Sequence, residues 1–284
     1  MRNDASDLEF FCKYINSLMG FAFTPEKKYL IFSRLEKRLD ELGAKSYKEY
    51  QKILENEPGE IDLLYNMLTT NVTSFFRESK QLDMIKLIVQ NVCNKFENKK
   101  TIRCWSAGCS SGEEAYTLAM IFDESLRKGW DYKILASDIN SEKLQEGMKG
   151  VYSLQRILDV PKHLRLKYFR YHQDKDLYEI NPGIRNKIVF RKINLNDNFF
   201  IPSHIGFDFI FCRNVFIYFG ASTRKKVINH FHHLLNDGGY LVFGACENLN
   251  ISSDSRWKLI KSSIYQKIKQ PPAVSENLLL GSHF

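Results

Sequence analysis

The segment Thr101–Met120, TIRCWSAGCSSGEEAYTLAM, constrains the fold more than any other part of the chain. It reads as a short apolar strand, a loop holding Gly108 and Gly112, and a helix that opens on two carboxylates, Glu113 and Glu114. Glycine lets the backbone turn tightly and approach a ligand where a Cβ would collide. Strand, glycine loop and helix in that order form the first half of a nucleotide-binding α/β unit. A diphosphate seeks the positive end of the helix dipole, and paired carboxylates there repel it. They favour a ligand with a cationic end, such as the sulfonium and ammonium of S-adenosylmethionine.

Strand-like and helix-like runs alternate on either side of this unit. A helix over 81–96 leads into it. After it come strands at Lys133–Ala136, Phe207–Cys212 and Tyr240–Gly244, with helices at Ser141–Lys149 and Ser222–Leu235. That rhythm predicts an α/β fold with a largely parallel sheet covered on both faces. Between Val151 and Leu195 it breaks. Tyr168–Tyr171, Leu177–Ile180 and Ile188–Arg191 are short strand-like pieces separated by turn residues such as Asn181-Pro182-Gly183, which predicts a small antiparallel insertion.

The first 80 residues read as helices only. Gly20 ends the first, Thr24 caps a second opened by Pro25, Ser46 starts a third broken at Pro58-Gly59, and a fourth runs from Ile61 to Leu68. The expected organisation is a helical domain (1–80), a linker helix (81–95), an α/β domain (96–270) with an insertion at 151–195, and a poorly ordered tail (271–284).

The formal charge of +8 lies beyond the helical region, where residues 1–80 hold 12 Lys/Arg against 13 Asp/Glu. Residues 141–197 hold 12 against 7, dispersed as on a solvated surface, so nucleic acid is not the expected partner. No apolar run is long enough to span a membrane, the opening MRNDASDLEFF is too polar for a signal peptide, and the scattered cysteines form no CxxC pair. A reduced cytoplasm and a monomer are expected. His230, His232 and His233 lack the partners of a zinc site, and no metal is expected.

Asp138 closes the second strand 30 residues after Gly108, placed either for ribose hydroxyls or to cap the next helix. The strand ending FIFCRN delivers Arg213 and Asn214 to its carboxyl end, with Tyr218 a turn later. The cluster NVTSFFRE interleaves Asn71, Thr73 and Arg77 with Phe75 and Phe76, and reads alone as either a ligand cluster or a helix cap followed by core aromatics.

Together, TTNVTSFFRE, WSAGCSSGEEAYTLAM, ASDIN, KINL, FCRNVFIYF and GGYLVFGACENL make the chain resemble the CheR-type chemotaxis receptor methyltransferases over nearly its whole length. The resemblance implies an all-α N-terminal domain and a Rossmann-like methyltransferase domain carrying a small β-subdomain. It implies that Asn71, Thr73, Arg77, Gly108, Glu113, Glu114, Asp138, Asn194, Leu195, Arg213 and Asn214 line an S-adenosylmethionine site. Arg77 and Tyr218 would face the reacting carboxylate, a receptor glutamate. Either of Glu113 and Glu114 would meet the methionine ammonium, and Arg77 would hold either the substrate's or the cofactor's carboxylate.

Lys27, Arg34 and Arg38 flank the second helix as a contact for an acidic receptor helix or as a plain solvated face. Two departures stand out. Family members often carry Gly-His-Ser-Glu-Asn where this chain has Gly244-Ala245-Cys246-Glu247-Asn248, and the turn HQDKD after Tyr171 is short and lacks glycine. The short turn implies receptor engagement independent of a C-terminal pentapeptide. The rival readings are a receptor-docking protein without catalysis and a methyltransferase for another protein or a small molecule. Nucleic-acid amino-methyltransferases are disfavoured by the lack of an Asn/Asp-Pro-Pro-aromatic motif.

Overall fold

The computed structural model describes residues 5–23, 25–95, 100–199, 201–202, 206–247, 249 and 251–269. The proposed Thr24 cap and the tail 271–284 lie outside them, as do the side chains of residues 24–31, Lys27 included.

Five helices open the chain: α1 (Ala5–Met19), α2 (Pro25–Leu42), α3 (Tyr47–Asn56), α4 (Pro58–Leu68) and α5 (Ser79–Lys95). Ser46 caps α3 by accepting the Glu49 N–H. Pro58 does not merely break α3 but is the first residue of α4, where its missing N–H costs nothing. The α/β part then runs β1 (Thr101–Ala107), α6 (Glu113–Ser125), β2 (Asp131–Asp138), α7 (Ser141–Lys149), β3 (Val151–Ser153), α8 (Leu154–Ile157), α9 (Lys162–Tyr168), β4 (Phe169–His172), β5 (Leu177–Ile180), α10 (Pro182–Arg185), β6 (Ile188–Lys192), β7 (Phe207–Cys212), α11 (Ala221–Leu234), β8 (Leu235–Phe243), β9 (Trp257–Lys261) and β10 (Ile264–Lys267).

The main sheet has the order β6-β2-β1-β7-β8-β10-β9, parallel from β6 to β8 and closed by the antiparallel β10 and β9. Every residue of β7, FDFIFC, is buried, as a central strand covered on both faces requires. A second sheet, β3-β5-β4, is antiparallel and sits where the insertion was expected.

One expectation is corrected. Ile188–Lys192 does not join the insertion; it pairs in parallel with β2, from Ile134↔Ile188 to Asp138↔Lys192, as the edge of the main sheet. The β9–β10 hairpin was not anticipated.

Two cores lie on opposite faces of the main sheet. One joins α1–α4, through Phe11, Leu35, Tyr50 and Leu64, to Trp105, Phe216 and Phe231. The other holds α5 and α6 with Phe209 and Phe211. The helical domain therefore shares a continuous interior with the sheet rather than hanging from it. Among the described residues no helix is long and apolar enough to cross a membrane.

Candidate functional site

Strand order changes direction at β1, whose neighbours β2 and β7 are reached by chain going opposite ways, and the crevice at such a switch point is where α/β sheets bind ligands. Four carboxyl ends open there. β1 leads to Gly108, β2 ends at Asp138, β6 leads to Asn194 and Leu195, and β7 leads to Arg213 and Asn214. They line one crevice open to solvent, together with Asn71, Thr73, Arg77, Glu114 and Tyr218. Of the residues expected at the site, only Glu113 is not in the lining.

The glycine loop is pinned from beneath. Gly108 and Cys109 donate to the Ser137 carbonyl at 2.7 and 2.9 Å, and Ser110 donates its N–H to Asp138 Oδ2 at 2.8 Å. Gly108 has φ +86°, and a Cβ there would sit 2.3 Å from Val215 Cγ2, so the loop after β7 packs directly on it. Four non-glycine residues with left-handed backbone cluster around this crevice: Phe76, Glu78, Ser110 and Asn214. Such conformations persist where surroundings over-determine them, and functional sites are where they gather.

The two adjacent glutamates part company. Glu113, with 1% of its side chain exposed, is ion-paired with Arg156 at the start of the insertion and accepts from Ser111 Oγ at 2.9 Å. Glu114 lines the cavity, accepting from Ser106 Oγ at 2.6 Å and from Arg213 Nη1 at 3.3 Å. Burial raises the Glu114 carboxyl above its ordinary range despite Arg213, and burial likewise raises Asp138, although Asn140 and Ser110 donate backbone N–H groups to it. Asp138 does not cap α7. That role belongs to Asn140, whose side chain accepts the Lys143 N–H.

Arg213 is a buried hub. Its Nη2 donates to the Arg77 carbonyl at 2.6 Å and to Glu78 Oε2 at 3.0 Å, tying the NVTSFFRE segment to β7. Burial works to raise Glu78, but Arg213 and the Ala245 N–H outweigh it and hold the carboxyl below its ordinary value. Arg77 donates Nη1 to the Val72 carbonyl at 2.9 Å, and Asn71 folds back onto Thr69. Asn194 donates its amide to the Leu18 carbonyl at 2.7 Å, so it also fastens the end of α1. Tyr218 lies in a short 3₁₀ turn, Phe216–Tyr218, with its ring stacked on Phe21.

Glu78 and Glu247 were missed in the sequence. Buried Glu247 accepts the N–H groups of Asn214 and Gly244 at 2.8 Å each and of Ile217 at 3.2 Å. A carboxylate three residues past Gly244, the glycine that follows β8, is the signal that could have found it.

The model of the CheR methyltransferase all-alpha domain matches residues 6–69, and that of the CheR methyltransferase SAM binding domain matches residues 71–266. The chain belongs to the CheR methyltransferase family. A chemotaxis protein methyltransferase of Borreliella burgdorferi is 39% identical over 263 residues, covering 90% of this chain and 92% of the relative. Those of Pseudomonas aeruginosa (32%, covering 86% and 91%) and Escherichia coli (30%, covering 87% and 85%) are similar along comparable lengths. The Rossmann-like fold preceded by an all-α domain is that of the CheR family, and the cofactor is S-adenosylmethionine.

The cavity suits that cofactor. The lining combines the carboxylates of Glu114 and Asp138, a buried Ser110 hydroxyl with no hydrogen-bond partner inside the protein, and apolar Ile139 and Val215. Among the described residues no group of three His, Cys, Asp or Glu side chains is placed to hold a metal ion. His232 is driven down to about 4 by burial and the nearby Lys267 and Arg256, which keeps it neutral at the end of α11.

Proposed function

We propose that this chain transfers a methyl group from S-adenosylmethionine to glutamate side chains on the cytoplasmic helices of chemoreceptors, giving glutamate methyl esters. The observation that carries this reading is the polarity of one cavity. Carboxylates and Arg213 are buried on one side, while Arg77 and the largely exposed Val72 meet solvent beside Tyr218. A cationic cofactor suits the acidic interior, and an anionic side chain presented from outside meets Arg77 and Tyr218.

The bound cofactor supplies an electrophilic methyl group on a positively charged sulfur. Everything else is positioning by the chain. A glutamate side chain titrates near 4.3, so it arrives as the nucleophilic anion and needs no general base. Tyr218 donates one hydrogen bond to orient the carboxylate. Arg77, fixed through Val72, steers it without gripping both oxygens, since a tight grip would damp the nucleophile. Glu114, not Glu113, meets the methionine ammonium, and Asp138 the ribose. Alignment in a dry crevice is proximity catalysis, worth orders of magnitude without acid–base help.

For receptor docking, Arg34 is the candidate on α2 among the described residues: it donates Nη1 to the Met67 carbonyl at 2.9 Å and has no carboxylate partner there, whereas Arg38 is ion-paired with Glu60 and Glu41. The β4–β5 hairpin closes tightly, with Asp176 in a left-handed conformation and Lys175 bonded to His172. That supports engagement without a pentapeptide; the cytoplasm is the proposed compartment because the receptor helices to be methylated lie there. Tritiated S-adenosylmethionine with receptor cytoplasmic fragments tests the reading. Base-labile label on glutamate is expected; no such label, or full labelling by Tyr218→Phe combined with Arg77→Ala, would overturn it.

A further inference from the structure

We propose that Glu247 is a positioning residue for methyl transfer, acting through the loop that presents Asn214 and Tyr218. The inference rests on the role given above to Tyr218. The loop leaves β7 with Asn214 at φ +60°, a backbone state that costs energy in a non-glycine residue, and then enters the 3₁₀ turn that carries Tyr218. A turn of that kind begins with N–H groups that have no partner of their own. Here the Ile217 N–H of that turn, the Asn214 N–H that leads into it and the Gly244 N–H just after β8 converge on one carboxylate. Oε2 takes Asn214 and Gly244, and Oε1 takes Ile217.

Glu247 is 5% exposed, so these bonds work without competition from water. Geometry leaves little slack. A Cβ on Gly244 would lie 2.8 Å from Asn214 Nδ2 and 3.0 Å from Glu247 Oε2, so glycine is what lets the turn tuck beneath the loop. Glu78 clamps the same turn from the other side through the Ala245 N–H, at 2.9 Å. Relative to a Gly-His-Ser-Glu-Asn pattern, the chain keeps the glutamate that reaches the loop and lacks the histidine. Here the turn contributes a backbone clamp.

Glu247→Gln keeps shape and volume but turns an amide NH₂ toward N–H donors, so the loop must shift. The test is a double-mutant cycle with Tyr218→Phe, reading kcat for receptor methylation alongside thermal melting of each purified protein. We expect Glu247→Gln to lower kcat about 100-fold, the scale for a misplaced reacting geometry. In the Tyr218→Phe background the same change should cost under about threefold, because the two act as a unit. An equal loss in both backgrounds overturns the inference while leaving the methyltransferase reading intact. No loss in Tyr218→Phe alone overturns both the inference and the role given to Tyr218, with the methyltransferase reading still tested by the labelling experiment. Should Glu247→Gln fail to fold, Gly244→Ala presses on the same contact from the glycine side and must show the same non-additivity.

Discussion

The ring of Phe21 stacks on that of Tyr218, with centroids 5.4 Å apart and planes inclined by 22°. Phe21 precedes α2 in the helical part, whereas Tyr218 follows β7. The stack is reinforced by the Ala22 N–H donating to the Tyr218 carbonyl at 2.8 Å and by an isolated bridge between Phe21 and Phe219. Offset aromatic pairs are worth about 0.5–1.5 kcal/mol beyond their burial.

Phe21→Ala removes both the stack and buried volume. It should lower stability by about 3–5 kcal/mol and reduce kcat more than it raises the KM for S-adenosylmethionine. Phe21→Tyr should retain most activity. Melting curves paired with steady-state rates separate the two effects, and an unchanged kcat in the folded Ala variant would rule out a role for the stack.

Cofactor affinity should depend on pH through Glu114 and Asp138. Burial raises both above their ordinary values of 4.5 and 3.8, so at pH between the ordinary and the shifted values the folded protein without cofactor holds protons that the unfolded chain has released. Their ionised forms therefore oppose folding as pH rises through the shifted values, and a bound ammonium offsets that cost. Calorimetry with S-adenosylhomocysteine should show binding that strengthens, with proton release, as pH rises through the shifted values. Glu114→Gln should flatten the profile and weaken binding about tenfold.

The Glu113–Arg156 pair should be structural. Glu113 is 1% exposed and Arg156 36%, so removing Arg156 leaves the buried carboxylate unpaired, at a cost of up to about 3–5 kcal/mol. Arg156→Ala should lower the melting temperature by roughly 6–20 °C for a chain of this size. Arg156→Met with Glu113→Gln should recover most of that, whereas Glu113→Gln should leave cofactor affinity near normal. A large affinity loss in Glu113→Gln would place this carboxylate at the cofactor after all.

Arg38 binds Glu60, whose side chain is 2% exposed and also accepts from Tyr50 Oη at 2.8 Å. Arg38→Ala should destabilise the helical domain by about 3–5 kcal/mol, with receptor KM unchanged in the folded fraction. Arg34→Glu should raise receptor KM several-fold at low salt, and less as salt screens the contact. A receptor KM that moves with Arg38 and not with Arg34 would reverse these assignments.

Much of this was legible from the sequence because backbone chemistry left marks. Gly108 and the FIFCRN run announce a loop and a strand end wherever they occur. Ile188–Lys192 left no such mark. A short run of alternating residues after a turn suits either sheet, and only its pairing with β2 decides. Glu113 and Glu114 are adjacent on a helix and so point about 100° apart; which one faces the cavity depends on Arg156, 43 positions later. The β9–β10 hairpin was readable in principle, as WKLIK and IYQK about a two-residue turn. Glu247 leaves no more than its spacing past Gly244: a carboxylate in a polar turn after a strand reads as solvated surface, and only the N–H groups of Asn214, Ile217 and Gly244 donating to it decide otherwise.

The contacts that fasten α1 to the far strands also impose an order on biosynthesis. The Leu18 carbonyl meets Asn194, 176 positions onward, and Gly20 and Ala22 meet Gly220 and Tyr218. A chain emerging from a ribosome can build its helical bundle early, since those contacts are local. The cavity must wait until residues near 220 are free to reach back, with the entropy of a very long loop to overcome. Methyl-donor binding would therefore arise only near the end of synthesis, and a truncated chain that retains its first four helices would present the Met19–Phe21 apolar edge to chaperones instead.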